Sequence, residues 1–452
     1  MTTDHDLIVI GLGVAGEQVA DDAAEAGMDV LGIERRLVGG ECPYWGCIPS
    51  KMMVRAGNSL AEAARVLRLA GSARVSPSWQ PVVERVRDAT DDWDDRVAVD
   101  RLLDKGGTFL RGQARLVGRA EVEVDGERHR ARRGVVIATG GEPAAPPVEG
   151  LAEAGYWTNR EAIEARELPA SLVVLGAGPI GLELSQTFQR FGTQVTIVEV
   201  ADRALPTEEP ENSEAMGEVL REEGIVVHTG VGASAVRRAD GKFTVELADG
   251  SQVDGEQLLV ATGRRLEVGS LGVEAAGLDP TARSIAVDEH LRAGEGVWAV
   301  GDVTGHGVFT HLAVYQARIA VADVLGRAHA PADYRALPRV TFTDPEVASV
   351  GMTEAQAREA GIPVRTGVAA TASSTRGWIH GPGAEHGVAK LVADADRGVL
   401  VGASVMSPAA GEVVGLLVLA IKERVPIAAL RELIYPYPTF VRGLEDALRA
   451  LS

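Results

Sequence analysis

A strand, a glycine loop, a helix and a second strand ending in an acid occur twice in this chain with matched spacing. That duplication limits the possible folds more than any other feature. Leu7-Ile8-Val9-Ile10 runs into Gly11-Leu12-Gly13-Val14-Ala15-Gly16, an alanine-rich helix follows to about Ala26, and residues 29–33 form a strand ending on Glu34. Leu172-Val173-Val174-Leu175 runs into Gly176-Ala177-Gly178-Pro179-Ile180-Gly181, a helix reaches Phe191, and residues 194–198 lead to Glu199. In both copies the acid falls 18 positions after the third glycine. One G-x-G-x-x-G is weak evidence, but two in the same strand–helix–strand context are strong. The first glycine permits a tight turn, the second lets the backbone approach a pyrophosphate, and the third allows close helix–strand packing. The helix N-terminus offers free N–H groups and a partial positive charge to phosphates. The acid can accept a hydrogen bond from a ribose hydroxyl. Glycine turns in a plain α/β sheet are the alternative, and they leave the matched spacing unexplained.

Two later segments return to these sheets. Val135-Val136-Ile137-Ala138-Thr139-Gly140 and Leu258-Leu259-Val260-Ala261-Thr262-Gly263 are apolar strands ending in Ala-Thr-Gly, each closing one nucleotide-binding lobe. Pro143, Pro146 and Pro147 stiffen the exit from the first lobe. Val297-Trp298-Ala299-Val300-Gly301-Asp302 is a further strand with an acid at its tip, and by position it belongs to the first lobe. From Leu337 the sequence turns strand-rich and then apolar-helical. The expected class is α/β, with two Rossmann-like dinucleotide-binding domains and a C-terminal α+β domain. The expected boundaries are 1–142 and 265–330 for the first lobe, 143–264 for the second and 331–452 for the last.

The length of 452 residues fits about three domains. A net charge of −19 repels phosphate backbones and anionic membrane surfaces, so neither nucleic acid nor membrane is an expected partner. The basic cluster Arg128-His129-Arg130-Ala131-Arg132-Arg133 has no interleaved aromatics and reads as a solvated hairpin flank. The longest apolar run, residues 413–421, is too short to span a bilayer. The start Met-Thr-Thr-Asp-His-Asp has neither a basic n-region nor an apolar h-region, and a cytoplasmic location is expected.

Cys42 and Cys47 are the only cysteines, in Gly40-Glu41-Cys42-Pro43-Tyr44-Trp45-Gly46-Cys47-Ile48-Pro49-Ser50-Lys51. A clustered pair directly after a dinucleotide pattern reads as a working dithiol/disulfide couple, with two inert buried thiols as the alternative. Five residues of ideal helix rise about 7.5 Å, beyond the usual Cα separation of roughly 4.4–6.8 Å in a disulfide. Bridging them therefore requires a distorted turn, for which Pro43, Gly46 and Pro49 supply the irregularity.

Two dinucleotide folds, the Cys-x4-Cys loop, both Ala-Thr-Gly strands and the Gly-Asp strand come in one order. In that order the chain resembles the class I pyridine nucleotide–disulfide oxidoreductases, a family that includes dihydrolipoamide dehydrogenase, glutathione reductase and mercuric reductase. The resemblance covers essentially the whole length. It implies an FAD-dependent oxidoreductase with FAD on the first lobe and a nicotinamide dinucleotide on the second. It also implies a homodimer built through the C-terminal domain, with the active site shared between subunits. Carried over by residue, it implies Cys47 as the thiol nearest the flavin, Cys42 as the interchange thiol, and Lys51 with Glu183 as an ion pair beside the flavin. The implied cofactor contacts are Gly11, Gly13, Gly16, Glu34, Gly40, Thr139, Gly140, Gly301, Asp302 and His311 for FAD. Gly176, Gly178, Gly181, Glu199 and Gly263 serve the nicotinamide nucleotide. Glu199, with no cation in Val200 or Ala201 beside it, favours NADH over NADPH; Arg203 is the nearest exception.

One segment departs from the family. Disulfide reductases end in His-Pro-Thr-x-x-Glu, where the histidine moves a proton to the leaving thiolate. Here the segment reads Tyr437-Pro438-Thr439-Phe440-Val441-Arg442. A tyrosine of pKa near 10 is a poor general base at neutral pH, unless another histidine (His311, His380 or His386) replaces it in space. The tail resembles that of mercuric reductase, which also has tyrosine there. That enzyme delivers its metal through a vicinal cysteine pair near its C-terminus, and this sequence ends Arg449-Ala450-Leu451-Ser452. The expected small-molecule acceptor is therefore non-standard, a quinone or a biosynthetic organic substrate. A metal reductase, a lipoamide-type disulfide reductase and a non-enzymatic flavoprotein subunit are the alternatives.

Overall fold

The computed structural model describes residues 2–451, which divide into two compact units. The first joins residues 1–49, 85–143 and 264–333, and the second joins 50–84, 144–263 and 334–452.

In the first unit the apolar strands Thr2–Ile10 and Val30–Glu34 flank the helix Val14–Glu25 and pair in parallel. The strand Glu127–Ile137 lies on the other side of Thr2–Ile10 and in turn pairs in parallel with Val297–Ala299. The Gly-Asp strand thus belongs to the first sheet, as its position in the sequence predicts. Residues 7–10, 30–33, 135–137 and 297–299 of these strands are buried on both faces, the reason they read as apolar runs without alternation, whereas the first halves of Thr2–Ile10 and Glu127–Ile137 are polar and largely exposed. The basic cluster lies on Glu127–Ile137, which forms a hairpin with Glu121–Val124. Its Arg132 pairs with Asp6 and its Arg128 with Glu123, as expected of a solvated flank.

In the second unit Gln194–Val198, Ser171–Leu175 and Gln257–Val260 repeat the parallel pattern, with the Ala-Thr-Gly strand at the edge. Residues 338–407 supply a five-stranded antiparallel sheet. The apolar run 413–421 lies inside the helix Ala410–Lys422, which buries Val413, Val414, Leu417 and Ile421. Residues 50–84 cluster with this unit for identifiable reasons. The Trp79 indole N–H donates to the Ala165 carbonyl at 2.8 Å, and its ring packs at 5.4 Å on Phe188 and 5.0 Å on Phe191. Arg190 donates to Asn58 at 2.6 Å, and Arg65 pairs with Asp344 at 2.7 Å.

A buried cation ties the antiparallel sheet to the start of the helix Pro210–Glu222 in the same unit. Lys390 Nζ lies 3.0, 2.9 and 2.8 Å from carboxylate oxygens of Glu209, Glu211 and Glu354, and Lys390 and Glu209 are almost wholly buried. Burial opposes the charge, but the carboxylates of Glu354, Glu211 and Glu209 override it and hold the ammonium above the ordinary lysine value. A raised lysine pKa contributes stability that is present throughout the neutral range and lost only as pH rises past ordinary lysine titration. Removing the cation leaves Glu209 buried without its partner. Lys390→Met is expected to cost about 3–5 kcal/mol in thermal or urea unfolding, with Glu209→Gln in the same chain recovering part of it.

No helix among the described residues is long and apolar enough to cross a membrane.

Candidate active site

The two glycine loops are alike at atomic detail. Gly11 and Gly176 have φ of +87° and +105°, and a Cβ on either would lie 2.6 or 2.5 Å from the carbonyl oxygen of Ala138 or Ala261. A Cβ on Gly16 or Gly181 would lie 1.9 or 2.1 Å from the carbonyl oxygen of the first glycine. Packing within the protein thus demands the outer glycines. It does not demand the middle ones: a Cβ on Gly13 meets nothing closer than 3.9 Å, and one on Gly178 nothing within 4 Å. A cradle that a side chain would fill, left open over a helix N-terminus, fits a bound pyrophosphate.

Each loop is fastened by its acid. Glu34 accepts from the backbone N–H of Leu12 and of Arg36, both at 2.8 Å. Glu199 accepts from Ala177 at 2.7 Å and Ala201 at 2.8 Å. A carboxylate offers about four acceptor positions, so both retain capacity for a ribose hydroxyl. Sequence reading treats these acids as ligand contacts alone, and the structure adds that each ties its strand end to its glycine loop. An open cleft brings Gly11, Glu34, Thr139 and Gly140 together beside Arg35 and Glu142. Gly40 supports the same loop, since a Cβ there would lie 2.8 Å from Gly13 Cα.

Asp302 follows Gly301, whose φ is +79° and whose N–H donates to the fully buried Gln316 at 2.7 Å. Burial pushes the Asp302 carboxyl upward against the nearby Arg264, which lies 3.6 Å away and also reaches Glu41 at 3.5 Å. The residues present fit FAD on the first sheet and a nicotinamide dinucleotide on the second. Gly263 is exposed with φ +116° at the end of its strand.

The cysteine loop shows the predicted break. Cys42 lies in the short helix Glu41–Tyr44, the chain turns at Trp45 and Gly46, and Cys47 opens the long helix Cys47–Leu69. Gly46 makes the turn possible, because a Cβ there would lie 2.9 Å from the Glu41 carbonyl oxygen and 3.3 Å from Cys42 Cα. Both residues are thiols in the structure. A hydrogen bond to Cys47, and then burial, raise the Cys42 pKa well above the usual thiol value. Cys47 Sγ lies 3.3 Å from Thr310 Oγ1, at the start of the helix Thr310–Val324. Sequence reading missed Thr310; it stands directly before His311, and no local pattern marks it. Tyr44 is buried, which makes it a packing residue, and its ring centroid lies 6.0 Å from that of Trp45.

In the second unit Lys51 Nζ lies 2.6 Å from Glu183 Oε2, and the other carboxylate oxygen accepts from the Phe342 N–H at 2.8 Å. Lys51 also sits 4.8 Å from the centroid of the Phe342 ring. Glu183 is buried, so burial and pairing together distinguish it from a solvated helix acid.

The tail brings Tyr437 and Arg442 into contact. Tyr437 is 63% exposed on this chain, and the Arg442 guanidinium lies 4.7 Å from its ring centroid, held also by Glu445 at 3.1 Å. Of the candidate replacement histidines, His386 is bracketed by Glu218 and Glu222, each at 3.0 Å. His311 is exposed and stacks on Phe309 at 5.3 Å. His380 packs 5.5 Å from Phe440 of the tail, and burial lowers its pKa.

Residues 5–321 match the family model described as pyridine nucleotide-disulphide oxidoreductase, and residues 337–448 match the dimerisation domain of the same family. The chain belongs to the pyridine nucleotide-disulphide oxidoreductase family. A mercuric reductase of Bacillus cereus is 36% identical over 98% of this chain and 71% of its own length. A dihydrolipoyl dehydrogenase of Thermus scotoductus is 35% identical over 99% of this chain and 97% of its own. The HOCl-induced flavoprotein disulfide reductase RclA of Escherichia coli, solved as a Cu(II) complex, superposes with a TM-score of 0.87 at 26% identity over the whole of both chains. LpdA of Mycobacterium tuberculosis does so at 0.86, also at 26% identity and over both full lengths. Like its family, this protein is an FAD-dependent oxidoreductase that uses NAD(P)H, and its dimerisation domain marks it as a homodimer.

Proposed function

We propose that this enzyme is an NADH-dependent flavoprotein with a Cys42–Cys47 redox couple that passes electrons to an acceptor requiring no proton for a leaving thiolate, a quinone taking them from the flavin or a biosynthetic organic substrate. The observation that carries the reading is the tail, where a tyrosine capped by an arginine stands in the place of the family's histidine and glutamate. Bound FAD supplies the two-electron step between nicotinamide and thiols. The chain's own residues align the groups: the glycine loops hold phosphates, Glu34 and Glu199 hold ribose hydroxyls, and Lys51 with Glu183 sets the charge beside the flavin. Residues 1–142 and 265–330 form the FAD domain in this reading, 143–264 the nicotinamide domain and 331–452 the interface. Tyr437 of each subunit serves the other's active site, in the cytoplasm. Cys42, the thiol that would attack or release an exogenous disulfide, is held protonated, and Tyr437 is a poor base to relieve it.

A steady-state screen of NADH oxidation against quinones, lipoamide, glutathione disulfide and Hg(II) tests the proposal. Quinone turnover well above disulfide turnover supports it, and lipoamide reduction at ordinary family rates sinks it and makes His380 the group to examine as base. A metal-reductase reading is favoured by the mercuric reductases among the relatives. Within these 452 residues, however, Cys42 and Cys47 are the only thiols available to a soft cation.

The preference for NADH rests on Glu199, held rigid by two backbone amides. Arg203 does not offset it, because its guanidinium is engaged by the Pro206 carbonyl at 3.0 Å and by Asp202 at 3.4 Å. A 2′-phosphate against a fixed carboxylate is a like-charge contact that costs several kcal/mol. Accordingly kcat/KM for NADH should exceed that for NADPH by at least about tenfold. Parity, or a preference for NADPH, would contradict the assignment.

A further inference from the structure

His290, Asp323 and His329 take no part in the site described above, yet the first unit gathers them at one point. Asp323 lies near the end of the helix Thr310–Val324, His329 in the segment that follows it, and His290 in the loop before the edge strand Arg292–Gly294. One ligand atom from each falls within 4.8 Å of the others, and the two imidazoles pack edge to face at 5.1 Å. We propose that His290 Nδ1, Asp323 Oδ1 and His329 Nε2 bind a divalent transition ion of borderline softness, with Zn2+ the best match.

Hydrogen-bond accounting carries the argument. His329 Nδ1 lies 3.0 Å from the Ala330 carbonyl oxygen, which can only accept, so Nδ1 carries the proton. In the neutral ring this leaves Nε2 as a bare lone pair, and it faces Asp323 Oδ1 at 3.5 Å. In that tautomer a cation between the lone pair and the carboxylate is what joins them; without an ion the contact is made by a protonated ring donating to Asp323. The distance is long for a hydrogen bond but close to the ligand–ligand edge of a tetrahedral ion with bonds of about 2.0–2.1 Å. His290 Nδ1 is buried and has no hydrogen-bond partner at all. An ion in this cluster would give the unpartnered nitrogen of His290 a bond and join it to His329 and Asp323 as one ligand set.

The Ala330 carbonyl fixes the tautomer of His329, as outer-shell partners of ligating histidines do. Asp323 is 7% exposed, and its remaining acceptor positions are filled by Arg292 at 2.6 and 2.7 Å and by the Trp298 indole N–H at 2.7 Å. Those bonds orient the carboxylate and leave one position on Oδ1, on the side of His329. The Arg292 charge opposes a dication and limits affinity. His290 is 35% exposed, which leaves the fourth position to water. Two imidazoles and one carboxylate suit Zn2+ better than Mg2+ or Ca2+, which prefer all-oxygen sets. A bound ion would clip the segment leaving the helix to the loop before the edge strand.

The test uses FAD-loaded protein with Cys42→Ser and Cys47→Ser, which removes the thiolates as competing ligands. Equilibrium dialysis against Zn2+ alone, read by elemental mass spectrometry, should show a bound ion. His290→Ala or His329→Ala should weaken it by about tenfold or more, while His386→Ala leaves it unchanged. Binding that is the same in all three variants overturns the proposal, as does no binding, which would make His329 and Asp323 a simple ion pair. A second measurement needs no histidine variant: in the unaltered holoenzyme Zn2+ should slow carbethoxylation of His290 and His329, but not of the partly exposed His228. Equal rates with and without Zn2+ count against the site even if a histidine variant fails to fold.

Discussion

NADH is expected to produce a long-wavelength charge-transfer absorbance in the intact enzyme, and replacing Cys47 by serine is expected to abolish it. The variant should also take up one electron pair fewer per FAD in anaerobic titration. The expectation follows from which sulfur is equipped to carry negative charge. Cys47 opens the helix Cys47–Leu69, where unpaired N–H groups and the helix dipole favour an anion. The Thr310 hydroxyl lies 3.3 Å from its sulfur. Cys42 donates to Cys47 and is partly buried, and both effects keep it protonated. Thr310→Val offers a finer readout on the same sulfur. A hydrogen bond to a charged group contributes about 1.5–3 kcal/mol, or roughly one to two units of pKa. Loss of that donor raises the thiolate's pKa, so the absorbance should appear at higher pH. Equal electron uptake by the parent enzyme and Cys47→Ser would exclude the thiols from the electron path.

Tyr437→His combined with Arg442→Glu is expected to raise lipoamide or glutathione disulfide turnover, while activity with a quinone stays near its starting value. Positioned acid–base groups contribute typically 10²–10⁴-fold, and a gain in that direction would identify proton transfer as the step the parent enzyme lacks. The two changes belong together, because Arg442 lies 4.7 Å from the Tyr437 ring centroid and would place a cation beside the new imidazole. Tyr437→His alone should therefore give the smaller gain. No gain in either variant, with the dimer intact, would place the deficit elsewhere and return attention to His380.

The dinucleotide loops were legible in the sequence because their physics is local. A left-handed turn, a carbonyl 1.9 or 2.1 Å from a missing Cβ and an acid reaching back to the loop amide are all written within about one βαβ unit. The broken helix between the cysteines was legible for the same reason, as five residues and their disulfide geometry set the constraint. The tyrosine of the tail could be read directly, but its contact with Arg442 could not.

Partnerships between distant residues depend on how strands and helices pack, and only the tertiary structure decided them. Lys51 meets Glu183 across 132 residues, and Cys47 meets Thr310 across 263. Trp79 and Arg65 draw residues 50–84 into the second unit, although the sequence places them beside the first glycine loop. His290, Asp323 and His329 carry no motif at all; a loop, a helix end and an exit segment each supply one group. A residue's neighbours along the chain state its backbone conformation and its face. They do not state which charge will lie opposite once water is excluded, and that charge decides whether a glutamate is a solvated surface acid or half of a buried pair.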